Sequence, residues 1–152
     1  MKILLAVDGS QASLAAVRHA LRLVDDGLRA EFVLANVQPP ATFYEMLRAP
    51  DAQTLLQIQA GAGEDSLEVA AAMLAQAEVS FEQEVASGEA APVLAEMVEC
   101  HGVDAVMVGA RRSSAARWAL GGSVSHWLLS HSPVPVTVVH LEEDGEGEGH
   151  EA

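Results

Sequence analysis

Four short, nearly uninterrupted apolar runs recur along this chain between segments with helical spacing: "KILLAV" at 2–7, "EFVLANV" at 31–37, "VDAVMVG" at 103–109 and "PVTVVHL" at 135–141. Runs of this kind have no face to offer to water. They fit strands covered on both sides, the pattern of a parallel sheet sandwiched by helices. A fifth stretch, "EVSFEQEVASG" at 78–88, alternates Val79, Phe81, Gln83 and Val85 against charged or small residues. That period of two places it near a sheet edge, with one face wet.

The intervening segments carry their own start and stop signals. Ser10 can cap a helix on which Leu14, Val17, Leu21 and Val24 share a face, and Gly27 stops it. Between Pro39 and Gly63 the pattern weakens: 41–47 fits one short helical turn, and 51–63 reads as helix damaged by Gly61 and Gly63. Each such glycine costs up to about 1 kcal/mol against alanine. From Asp65 the spacing recovers through Leu67, Ala70, Leu74 and Ala77. Pro92 suits the first turn of another helix, with Val93, Leu94, Met97 and Val98 inward and Gly102 at its end, and a last helix is expected over about 122–131. The expected architecture is α/β: a five-stranded parallel sheet with four helices on its two faces, a doubly wound, Rossmann-like open sandwich.

A chain of 152 residues suits one such domain, expected over 1–141. The remainder, 142–152, is acidic and glycine-rich and is expected to be a disordered tail. The net charge of −14 argues against nucleic-acid and membrane partners, and no apolar run is long enough to span a bilayer. One cysteine and no recognisable targeting segment point to the cytoplasm. The six histidines show no metal-ligand spacing, so no metal site is expected.

In doubly wound sheets a ligand sits beyond the carboxyl ends of the strands where strand order reverses. The segments after Val7 and after Val108 both leave such ends. The second carries Arg111, Arg112 and Arg117, three of the chain's eight basic residues, on an otherwise acidic molecule. A local positive field of that kind suits a small anion. Gly109 and the Gly122-Ser123 helix start could offer close backbone approach and free N–H groups to a phosphate. On glycine spacing alone, the plainer reading, in which Gly109 only turns the chain and Gly121-Gly122 allows tight helix packing, stands at least as well. No GxxxxGK[ST] or GxGxxG occurs.

Gly109, Arg112, Gly122 and Ser123 fall at the spacing G-x2-G-x9-G-[S/T], and together with "LLAVDGS" and "GSVSHWLLSHSPVPVTVV" they make residues 1–141 resemble the nucleotide-binding universal stress proteins. The resemblance implies an adenine nucleotide, ATP, ADP or AMP, with or without magnesium. It places Asp8 near sugar or base and the backbone of Val37, expected just after the second strand, against adenine. Gly109, Gly122, Ser123, Val124 and Ser125 then meet ribose and phosphates, with Arg111 and Arg112 beside them. It also implies a homodimer through the last strand and no robust catalysis, at most slow ATP hydrolysis. The departure is Arg112, where the motif has glycine. An arginine there could obstruct the site or grip phosphate with its guanidinium fork. A family member that has lost the nucleotide and acts purely as a dimeric interaction module is the alternative.

Overall fold

The structure, a computed structural model, describes residues 1–40, 43–48, 51–112 and 124–142. In chain order the elements are β1 (Lys2–Ala6), α1 (Gln11–Asp25), β2 (Glu31–Gln38), α2 (Phe43–Arg48), α3 (Ala52–Gln76), β3 (Phe81–Ser87), α4 (Ala90–His101), β4 (Ala105–Arg112), α5 (Val124–His131) and β5 (Val136–Glu142). The five strands form one parallel sheet in the order β3-β2-β1-β4-β5, as expected from the apolar runs. Order reverses between β1 and β4.

Each central strand feeds two cores. Ile3 and Leu5 of β1, with Val7 just beyond its end, join Leu14 and Val17 of α1 and Leu67, Ala70 and Leu74 of α3. Leu4 and Ala6 face the other way, onto Leu94, Met97 and Val98 of α4 and Leu128 of α5. Burying each large side chain of this kind is worth about 1.5–3 kcal/mol, which is why the apolar runs lack polar alternates. β3 lies at one edge of the sheet, where Glu82 and Gln83 are exposed, and β5 lies at the other.

Several details differ from the sequence expectation. Five helices are present among the described residues rather than four, and α3 runs unbroken from Ala52 to Gln76, through the segment expected to be damaged helix. Asp51 caps it, its Oδ1 accepting from the Thr54 amide at 2.7 Å. Gly61 and Gly63 do not break it. Gly63 is buried against the sheet, where a Cβ would lie 2.3 Å from Val85 Cγ1 and 3.0 Å from Asn36 Oδ1. The helix spends propensity there to approach the sheet closely. β4 runs on to Arg112, so Gly109, Arg111 and Arg112 belong to a strand rather than to a loop. Val37 likewise lies inside β2, and Glu142, taken as the start of the tail, closes β5 opposite Arg112.

Candidate functional site

β1 hands the chain to α1 through a segment whose polar groups are mutually satisfied. The Val7 amide still reaches the Ala35 carbonyl of β2 at 2.9 Å. Asp8 then donates its backbone N–H to Ser13 Oγ at 3.3 Å, and its Oδ1 accepts from the Ser10 amide at 2.9 Å. Ser10 caps α1 by accepting from the Ser13 amide at 3.2 Å, and the Ser13 hydroxyl returns a bond to the Ser10 carbonyl at 2.9 Å. Partial burial, the largest single influence on the Asp8 carboxyl, pushes its pKa up. Hydrogen bonds from Ser10, from Ser13 and from its own amide together outweigh this and hold it below its ordinary value of 3.8. Asp8 is therefore a carboxylate at neutral pH.

This segment forms one wall of a cavity of about 290 Å³ at the β1/β4 reversal. Asp8, Val37, Gly109, Arg111, Val124 and Ser125 all line it, so six of the residues singled out from sequence come together. Arg112 ends β4 nearby as strand backbone, which is not the left-handed conformation that would demand glycine. Gly122 and Ser123 lie outside the described residues, as does Arg117.

Gly109 has a physical role that glycine spacing did not disclose. A Cβ on it would lie 1.9 Å from the carbonyl oxygen of Ala12 and 2.4 Å from that carbonyl carbon. Glycine is required because the first turn of α1 presses directly on β4. The turn expected at this position is absent, and close helix packing accounts for the residue.

Sequence reasoning passed over part of the lining. Ser10 was legible only as a helix cap and Leu94 only as an inward helix residue, and Ser13 and Ala90 were not singled out, yet all four border the cavity. The spacing D-G-S-x-x-S carried a signal for Ser13, because a serine three residues after a cap faces the same turn. The cavity has an apolar floor of Ala6, Ala35, Val37, Leu94 and Val108 and a polar rim of Asp8, Ser10, Ser13, Arg111 and Ser125. Such a site can take a flat apolar group while a carboxylate accepts from hydroxyls and a guanidinium donates to an anion. Among the described residues no three His, Cys, Asp or Glu side chains are placed to hold a metal ion, and no helix is long and apolar enough to cross a membrane.

Comparison with known proteins bears on this arrangement. Solved structures share the fold. A universal stress family protein from Burkholderia pseudomallei is 24% identical with a TM-score of 0.68, covering 91% of this chain and 94% of its own. One from Arabidopsis thaliana, with AMP bound, is 17% identical with a TM-score of 0.69, covering 96% and 94%. A universal stress protein in complex with cAMP is 22% identical with a TM-score of 0.68, covering 92% and 97%. Among curated proteins no sequence match was found. The family model described as the universal stress protein family matches residues 1–140, the span that holds β1 to β4, most of β5 and every described residue of the cavity wall. With sequence family and strand order in agreement, the chain belongs to the universal stress protein family.

Proposed function

We propose that this protein binds an adenine nucleotide at the β1/β4 reversal and acts as a dimeric, nucleotide-dependent stress-response module in the cytoplasm. The observation that carries this reading is the convergence of Asp8, Val37, Gly109, Arg111, Val124 and Ser125 on a single cavity. Its apolar floor suits the base, the Asp8 carboxylate suits ribose hydroxyls, and Arg111 suits phosphate oxygens. The related structures with AMP and cAMP support the ligand class. Signalling through the bound state, with at most slow hydrolysis of ATP, fits a site where Asp8, the one carboxylate among the described lining residues, is held ionised by its neighbours rather than poised as a proton acceptor near neutrality.

The test is thermal. A nucleotide at about a hundred times its Kd stabilises the folded protein by about 2.7 kcal/mol, so millimolar ATP, ADP or AMP should raise Tm by several degrees. No shift with any of the three, with or without magnesium, favours the interaction-module reading. Mass spectrometry of small molecules released on denaturing the purified protein identifies the resident nucleotide. The homodimer is proposed on the edge position of β5, an apolar strand with β4 on one side of it. Light scattering at micromolar concentration should give twice the chain mass, and a monomer mass rejects that part of the reading.

A further inference from the structure

Among the described residues two polar side chains are buried, Ser13 at 5% exposure and Asn36 at 2%. They come from different elements, the first turn of α1 and the middle of β2. Both bond the same peptide group. Asn36 Nδ2 donates to the Val7 carbonyl at 2.8 Å, and Ser13 Oγ accepts from the Asp8 amide at 3.3 Å. The Val7–Asp8 peptide plane is thus held at its C=O by one buried side chain and at its N–H by the other. The orientation of the carboxamide follows from its partners, because the Val7 carbonyl can only accept and Gln38 Nε2 donates to Asn36 Oδ1 at 2.8 Å.

Burying a polar side chain brings stability only when its bonds are complete, and an apolar residue of similar shape is often as good. Two such groups spent on one peptide plane suggest a task beyond stability. That plane sets the direction in which the next side chain, Asp8, leaves the backbone. Gly63 of α3 leaves room for the arrangement, since a Cβ on it would crowd Asn36 Oδ1 at 3.0 Å.

We infer that Asn36 and Ser13 are a pair of positioning residues that fix the Val7–Asp8 peptide plane and so aim the Asp8 carboxylate into the cavity. The inference rests on the nucleotide reading for its consequence in binding, but not for its geometry. Positioned groups lose their effect when displaced by a fraction of an ångström.

The experiment pairs amide hydrogen exchange with ATP titration on the full chain. The reporter is the Ser10 amide, which bonds the Asp8 carboxylate; Asn36→Leu can reach it only through the Val7–Asp8 plane, whereas Ser13→Ala also removes the hydroxyl's bond to the Ser10 carbonyl, so the Asn36 variant is the cleaner arm. Both variants should exchange Ser10 at least about tenfold faster, beyond any change at core amides such as Leu5 and Leu34, and weaken ATP binding by about tenfold. Ser13→Thr, which keeps the hydroxyl, should restore both. Leu74→Val, a core change near the far end of α3, should leave Ser10 exchange tied to global stability. The double variant should lose little more than the worse single, because both residues hold one plane.

If Asn36→Leu fails to fold, Asn36→Ala, which is uncharged and cannot overfill the site, still removes the donor to Val7. Ser10 exchange that merely follows the core amides in these variants overturns the inference. Wild-type protein that binds no ATP sinks the nucleotide reading instead, and the exchange data still decide the positioning role.

Discussion

At the carboxyl ends of β1 and β4 polar groups line a cavity; at the amino ends of β1 and β3 they line one another. The amino-end set is Lys2, Glu82, Glu84, His101 and Asp104. Lys2 donates Nζ to the His101 carbonyl at 3.3 Å, lies 3.7 Å from Glu82, and gives its backbone N–H to Asp104 Oδ2 at 2.8 Å. His101 meets Glu82 through Nδ1 at 3.0 Å and Glu84 through Nε2. Opposite charges close on each other there and tie the end of α4 to the edge strand. At the carboxyl end the Asp8 carboxylate and the Arg111 side chain border the same open space. Density of charge does not mark a binding site; charge arranged around space does.

The largest expected break in this comparison comes from Gly109. Its obstacle is backbone, the Ala12 carbonyl, which cannot swing away as a side chain can. Gly109→Val should push α1 off β4, costing about 3 kcal/mol or more and lowering Tm by roughly 6–12 °C. It should also abolish any thermal shift from ATP, since Ser10 and Ser13 move with the helix. Tm unchanged within a degree would mean that α1 does not press on β4 as described.

Asp8→Ala is expected to separate binding from stability at the same end. It removes the acceptor for the Ser10 amide, a loss of about 1 kcal/mol, and should weaken ATP binding by about tenfold or more. The pH sign follows from its lowered pKa. The folded state holds the carboxylate more strongly than the unfolded chain, so this stability is present above the ordinary value of 3.8 and is lost as pH falls through the lower folded value. The wild-type advantage over Asp8→Ala in urea denaturation should therefore shrink on acidification below about pH 4. An advantage that grows instead would show that burial, not hydrogen bonding, controls this group.

The two ends were unequally legible in the sequence. Leu4, Leu5, Val33 and Val106 announce burial through the absence of polar alternates, because a strand covered on both faces has no position for them. Topology rules put a ligand beyond the carboxyl ends of the strands, but that β1 and β4 are the neighbours at the reversal, which brings Asp8 and Gly109 together, came from the structure. What Gly109 is for depended on which helix crosses it, a fact of tertiary packing that no local window contains. The start of α3 was hidden for a similar reason: a glycine at 63 looks like a break until Val85 and Asn36 are seen beneath it. Ser13 read as an ordinary helical residue, since its partner is a backbone amide five positions back. His101 gave no signal because its carboxylate partners come from β3, across a turn and the whole length of α4.

The smallest effect belongs to the amino end. Both ring nitrogens of His101 face carboxylates, which can only accept, so the surroundings favour the imidazolium, the form in which both nitrogens donate. The Glu84 carboxylate raises the His101 pKa above its ordinary 6.5; partial burial pulls it down, and Glu82 adds to the rise. The folded state therefore binds this proton more tightly than the unfolded chain. Its stabilisation is full below about pH 6.5 and is lost as pH rises through the raised folded value. These partners are partly exposed, so His101→Gln should cost about 0.5–1 kcal/mol at pH 6, and the difference from wild type should fade as pH rises through the raised folded value. ATP affinity should stay within twofold throughout, because the cluster lies at the opposite end of the strands from Asp8. A pH-independent deficit would identify His101 as a packing residue, and a large loss of ATP affinity would mean that the two ends of the sheet are coupled through α4, whose first turns reach the cavity at Ala90 and Leu94.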